Sequence, residues 1–214
     1  MPARRKRRGR FIVLEGLDGA GTTTQARLLG DRLRGAGRPV HVTAEPSAGP
    51  VGTLVRQVLS RRVVGGNGKG ELDAGALALL FAADRLDHVA AEIAPKLAGG
   101  VDVVSDRFTL SSLAYQGLTT GDLPWVEAVN ARAAAPDVTL FLRARPAVAL
   151  RRRRAATMDP ELYEVSDFQR AVARSYDRGI ERLRAAGQRV IELDGEAAVE
   201  DVADAIWAEV EALR

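Results

Sequence analysis

A chain of 214 residues suits one domain with a substantial buried core. It has no cysteine, which excludes a disulfide framework and a thiolate metal site, and its two histidines, His41 and His88, stand in no metal-ligand spacing. The net charge of +3 is local: six Lys/Arg fall within residues 4–10, leaving 25 basic against 28 acidic residues elsewhere, a balance that argues against a nucleic-acid partner.

No apolar run approaches the roughly 20 residues of a membrane span. No long apolar stretch follows the basic start, so a secretory signal is not expected either. These features predict a cytoplasmic protein with no membrane partner. Residues 1–10 read as a basic, disordered tail and 11–214 as a single domain.

In chain order, short apolar runs predict strands at Phe11–Glu15, Val40–Thr43, Val101–Ser105, Val138–Leu142 and Val190–Leu193. Helical periodicity fills the intervals at Thr23–Leu33, Val51–Arg61, Asp73–Leu97, Leu110–Gly117, Trp125–Ala134, Pro146–Arg154, Phe168–Ala186 and Val199–Leu213. Ser166 and Gln169 read as a capping box opening the seventh of these, and Gly99-Gly100 as the stop of the third. Gly65–Gly70 and Ala155–Val165 read as loose segments. Alternating strands and helices mean a parallel sheet covered on both faces.

The first strand runs into FIVLEGLDGAGTTTQ, Phe11–Gln25, whose spacing Gly16-x-x-x-x-Gly21-x-Thr23 fits a phosphate-binding loop, G-x-x-x-x-G-K-[ST]. Glycines let main-chain amides curl around an anion, and the next helix aims its unpaired N–H groups at it. Thr23 supplies the hydroxyl that suits magnesium; Thr22 stands where the pattern has lysine. Ligands of a parallel sheet sit beyond the strands' carboxyl ends. Here three distant strand ends bring Glu15, Glu45-Pro46 and Asp106-Arg107 to one rim.

Several residues admit two readings. Asp18 inside the loop is either an Asx turn former or a ligand for a cation or sugar hydroxyl. Phe81 and Arg85, four apart on one helix face, are either core and snorkelling residues or a stacking ring with a base-reading guanidinium. Arg107 either pairs with Asp106 or grips a phosphate with its planar fork. Ser111, Ser112, Tyr115 and Gln116 open a helix towards the same cleft, though Tyr115 also suits core packing. The run Arg151–Arg154 is either a solvated face or the edge of a mobile lid, about 151–165; at 100° per residue only Arg151 and Arg154 share a side.

EGLDGAG at 15–21, LLFAADR at 79–85, SDRFTLSSLAYQG at 105–117 and PDVTLFL at 136–142 together resemble the thymidylate kinase family, over nearly everything after the tail. The resemblance implies a three-layer α/β P-loop kinase fold with a five-stranded parallel sheet and a small lid. It implies a homodimer that phosphorylates dTMP with ATP and Mg2+, in the service of dTTP synthesis. By matching motif, Gly16, Leu17, Asp18, Gly19, Ala20, Gly21, Thr22, Thr23 and Thr24 would hold the ATP phosphates, with Thr23 and Asp18 at the metal. Asp18, Glu45, Phe81, Arg85, Arg107, Ser112, Tyr115 and Gln116 would bind dTMP, Tyr115 disfavouring a ribose 2′-hydroxyl. Ala20 resembles the subgroup whose catalytic arginines come from the lid, which would join Arg151 and Arg154 to Asp18 and Arg107.

The chain departs from the family's pattern at Thr22, at Ala44 to Gly49, where Arg-Glu-Pro-Gly-Gly-Thr is usual, and at Arg143, where an Asp is common. An arginine delivered to the phosphates can contribute about 10³–10⁵ in rate, enough to offset a missing lysine. Arg151, Arg154 or Lys69 is therefore the expected substitute. A kinase for another monophosphate and a nucleotide-binding protein without catalysis are the competing readings. A GTPase is disfavoured by the lack of N-K-x-D.

Overall fold

The computed structural model describes residues 8–66, 70–156 and 163–213, with backbone alone for 154–156 and 163–166. Five strands form one sheet: β1 Phe11–Gly16, β2 Val40–Ala44, β3 Asp102–Asp106, β4 Val138–Arg143 and β5 Val190–Asp194. All pairings are parallel, in the order β2-β3-β1-β4-β5. Every residue of β1 is buried, which is why its sequence is a near-continuous apolar run; the edge strands β2 and β5 are only partly covered. Phe11 and Val13 pack with Ile93, Leu97 and Phe108, whereas Ile12 and Leu14 join the larger core around Leu29, Leu113, Leu140, Val172 and Ile206.

The helices are α1 Thr22–Gly35, α2 Pro50–Leu59, α3 Ala74–His88, α4 Ala94–Ala98, α5 Thr109–Thr120, α6 Leu123–Asn130, α7 Pro146–Ala156, α8 Tyr163–Ala185 and α9 Val199–Glu211. A π-helical turn, Val89–Ile93, joins α3 to α4 without a break. The single long helix expected there thus forms, widened one turn before Pro95. That residue has no N–H to donate to the carbonyl four positions back, and its ring would crowd a regular α turn. Gly100, at φ 80°, ends it as expected. Asp73 and Asp122 cap α3 and α6 by accepting from the N–H groups of Ala76 and Trp125, both at 3.0 Å.

Two expectations need correction. The capping box does not open α8, because the helix begins at Tyr163 and Ser166 lies inside it. Of the segment expected to be loose, Ala155 and Ala156 still belong to α7, and 157–162 fall outside the described residues, as do 67–69 with Lys69. Residues 8–10, grouped by composition with the tail, are tied to the fold. Arg8 pairs with Asp137 at 2.9 Å, the Gly9 N–H donates to Leu97 O at 2.8 Å, and Arg10 donates to Val210 O at 2.8 Å and Leu213 O at 3.1 Å.

The strand order turns about β1 and β3, adjacent in space but far apart in sequence. Such a switch point opens a crevice beyond the carboxyl ends. There β1 delivers the Gly loop and β3 delivers Asp106-Arg107.

Candidate active site

The loop after β1 folds around the donation of Ala20 N–H to Leu17 O at 2.9 Å. Gly21, at φ 99°, is the N-cap of α1 and offers no side chain to that helix, so nothing of the cap occupies the first-turn amides. Gly19 is at φ 93°, and a Cβ there would stand 2.2 Å from Ala149 O and 3.3 Å from Arg153 N. Its missing side chain is what lets α7 lie against the loop. Gly19→Ala is expected to lower stability by about 1–3 kcal/mol, read from thermal melts.

A cavity of about 640 Å³ opens over this loop. It is lined by Asp18 to Gln25, by Arg107, by Arg152 and Arg153 of α7, and by Gly195, Ala197, Val199 and Val202 around the start of α9. A second cavity of about 260 Å³ adjoins it. All eight residues expected at the acceptor site line it: Asp18, Glu45, Phe81, Arg85, Arg107, Ser112, Tyr115 and Gln116. Asp18 and Arg107 border both cavities.

Arg107 does not pair with Asp106. Its Nη2 donates to Asp18 Oδ1 at 2.5 Å, and its Nη1 donates to Ser111 Oγ at 3.0 Å and to the Tyr176 hydroxyl at 3.1 Å. Asp106 instead accepts from the Thr23 hydroxyl through Oδ2, and its buried Oδ1 has no hydrogen-bond partner among the described residues. The carboxylate beside Thr23 is therefore that of Asp106, not of Asp18. Sequence spacing missed it, although an acid closing a buried strand next to the loop strand is the available signal.

Glu15 does not face the rim. It is wholly buried and accepts from the N–H groups of Phe108 at 2.8 Å and Ser111 at 3.0 Å, and from Ser111 Oγ at 2.6 Å, holding the start of α5 against β1. Burial pushes its pKa up to about 7, against the opposing pull of Arg107 and these donors. A carboxyl whose folded pKa exceeds its unfolded value stabilises below the unfolded pKa, and that stability is lost as pH rises through the folded one. Between pH 4.5 and about 7 the loss amounts to about 3 kcal/mol. Glu15→Gln, whose amide can both accept from the N–H groups and donate to Ser111, is expected to flatten most of this decline in melts across pH 4.5–8. A remainder persists from His88, whose pKa is also raised: burial opposes its charge, but the neighbouring Glu45 outweighs burial.

At the back of the smaller cavity Arg85 is almost fully buried. It donates to Glu45 Oε2 at 2.7 Å, Ser112 Oγ at 3.0 Å, Phe108 O at 3.0 Å and Asn130 Oδ1. Glu45 also holds His88, at 3.2 Å. Asp84 fixes the adjoining loop by accepting from Ser47 N–H at 2.8 Å and Ser47 Oγ at 2.5 Å. The Tyr115 ring lies 5.5 Å from the Arg107 guanidinium and edge-on to Tyr176 at 6.0 Å; its buried hydroxyl has no hydrogen-bond partner among the described residues.

Arg151 is exposed and does not line the larger cavity; the Arg154 side chain lies outside the described residues. Among the described side chains, the arginines of α7 that line the larger cavity are Arg152 and Arg153. Arg152 donates to Gly195 O at 2.5 Å and Glu196 O at 3.1 Å, and Arg153 Nη1 lies 3.5 Å from Asp18 Oδ2.

A sequence profile of thymidylate kinase matches residues 14–206. The chain belongs to the thymidylate kinase family. A thymidylate kinase of Pelotomaculum thermopropionicum is 40% identical over 212 residues, 92% of this chain and 96% of its own. Proteins carrying the same family name from Aeropyrum pernix and Thermococcus onnurineus are 39% and 37% identical, covering 90% and 94% of this chain and 91% and 97% of theirs. Among thymidylate kinases, then, this chain is one whose loop has threonine at position 22 and in which the residues expected at the acceptor site line a single cavity.

Proposed function

We propose that the protein transfers the γ-phosphoryl group of ATP to dTMP, giving ADP and dTDP. An acceptor phosphate oxygen attacks the γ-phosphorus as its bond to the β,γ-bridging oxygen breaks, with charge and positioning supplying the catalysis. The observation that carries this reading is the pair of adjoining cavities sharing Asp18 and Arg107. One cavity has the amides and dipole end of α1 for a triphosphate; the other has an aromatic wall and buried donors for a base.

In this reading Arg107 grips the dTMP phosphate, held in plane by Asp18, Ser111 and Tyr176. Phe81 stacks on thymine while Arg85 and Gln116 stand at the base edge, and Ser112 and Glu45 keep the Arg85 guanidinium in place. Tyr115, its ring fixed by Arg107 and Tyr176, closes the sugar pocket against a 2′-hydroxyl. Asp18 sits at the junction, within reach of the sugar and of both arginines.

The Thr23 hydroxyl and the orphaned, buried Oδ1 of Asp106 fit a magnesium site. Mg2+ takes few protein ligands and completes its shell with water and phosphate. Among the described residues no group of three or more acidic or histidine side chains forms a richer one. When bound, the ion would neutralise charge on the β- and γ-phosphates.

A homodimer fits the half-exposed Leu79 and Leu86, seven residues apart on α3; sedimentation tests it. Among the described residues no helix is long and apolar enough to cross a membrane, and a cytoplasmic location accords with the cysteine-free composition. The deciding experiment for function is ADP release from ATP with a panel of monophosphates. dTMP is expected to give the highest kcat/KM. Equal rates with dCMP, AMP and GMP, or no ADP at all, would overturn the reading.

A further inference from the structure

The charged groups behind the smaller cavity continue past Arg85 to His88, one turn further along α3 and buried. Its Nδ1 lies 3.2 Å from Glu45 Oε1, and its Nε2 lies 2.9 Å from Thr43 Oγ1 and 3.7 Å from Glu92 Oε1. A carboxylate has no proton to donate, so the contact with Glu45 puts a proton on Nδ1. The ring thus stands between two carboxylates, one from the loop after β2 and one from the π-helical turn, a setting that favours the imidazolium. Asp84 on α3 adds a third negative charge, while Arg85 and His41, bound to the same two carboxylates, oppose it. Burial also works against the charge, but Glu45 outweighs burial, and the His88 pKa is raised.

Glu45 is therefore shared between two cations: Oε2 accepts from Arg85 Nη2 at 2.7 Å, and Oε1 accepts from His88. Arg85 Nε, beside Nη2 in the same guanidinium plane, is buried and has no hydrogen-bond partner among the described residues. A carboxylate with both oxygens free takes two neighbouring N–H groups of a guanidinium at once. Glu45 takes one, because its second oxygen is engaged by His88. The Nε–H is left over, on a side chain that borders the smaller cavity. A buried donor without a partner is costly unless a ligand brings an acceptor, and a base carbonyl oxygen is one.

We propose that His88 is a positioning residue for the acceptor: its imidazolium keeps Glu45 Oε1 from closing on Arg85 Nε and so reserves that N–H for the edge of the base. This rests on the smaller cavity being the dTMP site. The arrangement holds below the raised pKa; as pH climbs through it the cation is lost, and KM for dTMP should rise. The test follows kcat and both KM values from about pH 6 to about pH 9 in the unaltered protein, His88→Asn and His88→Ala. His88→Asn keeps an N–H donor towards Glu45 at every pH and cannot titrate, so its KM for dTMP should lack the alkaline rise. His88→Ala releases Oε1 and should raise KM for dTMP about tenfold or more at every pH, with kcat and KM for ATP within about threefold. Ionisation of dTMP or of Glu15 acts in all three proteins and cancels in the comparison. Isotope-labelled histidine gives a readout without substitution: by NMR both His88 ring nitrogens should be protonated at about pH 6.5, where an unperturbed histidine is half titrated. A neutral His88 ring at that pH, an alkaline rise that persists in His88→Asn, or a His88→Ala protein whose KM for dTMP stays within about twofold, would each overturn the proposal. If the unaltered protein turns over no dTMP at all, the reading of the cavity fails, and the role of His88 with it.

Discussion

Arg107→Ala is expected to reduce kcat/KM for dTMP by about 10²–10³-fold, the cost of removing a partly buried, preorganised cation from a charged acceptor. The backbone states why the position is specialised: Arg107 is at φ 73°, a conformation uncommon for a residue with a side chain and worth about 1–3 kcal/mol of strain. The end of β3 imposes it, with the Arg107 N–H donating to Leu14 O at 2.9 Å. The guanidinium is then aimed at the junction and locked by three side chains. Arg107→Lys keeps the charge but loses the fork, so most of the deficit should remain. KM for ATP should change far less than KM for dTMP. Steady-state kinetics with each substrate varied in turn would show it.

The second large effect is on stability. Arg85→Ala removes one partner of a buried ion pair and leaves Glu45, 6% exposed, with His88 alone among the described residues to offset its charge. Such a loss costs about 3–5 kcal/mol. In a domain of this size that lowers Tm by about 6–20 °C. The charge left behind, rather than lost packing, causes most of this. Glu45→Gln in the same chain should therefore recover part of the stability, and the double variant should be less destabilised than the sum of the singles. Equal melting of the single and double variants would mean that packing around Arg85 dominates. Scanning calorimetry decides between them.

Much of the fold is visible in the sequence because a parallel sheet buries its strands on both faces. Phe11–Gly16 and Val138–Arg143 therefore read as apolar runs, with turns and helices filling the rest. The smaller cavity is visible for a different reason: its residues come from a few contiguous motifs. What escaped is set by long-range packing. Local spacing puts Asp18 in the loop with Thr23, whereas only the β1–β3 pairing brings Asp106, 83 residues away, to that hydroxyl. Helical periodicity tells which arginines of 151–154 share a side. Which side meets the loop depends on the close approach of Ala149 to Gly19. The anchors of Arg8 and Arg10 lie 92 to 203 residues away, so their attachment had no local signal.

Asp18 and Arg107 belong to the walls of both cavities, so in the proposed reading occupancy of one by a nucleotide is expected to bear on occupancy of the other. Whatever factor one occupant applies to the other's dissociation constant must be returned in full by the other. Titrating dTMP with and without the ATP analogue, and the analogue with and without dTMP, should give the same ratio. A departure of that ratio from one measures, in a single number, how strongly the shared carboxylate and guanidinium tie the two ligands together.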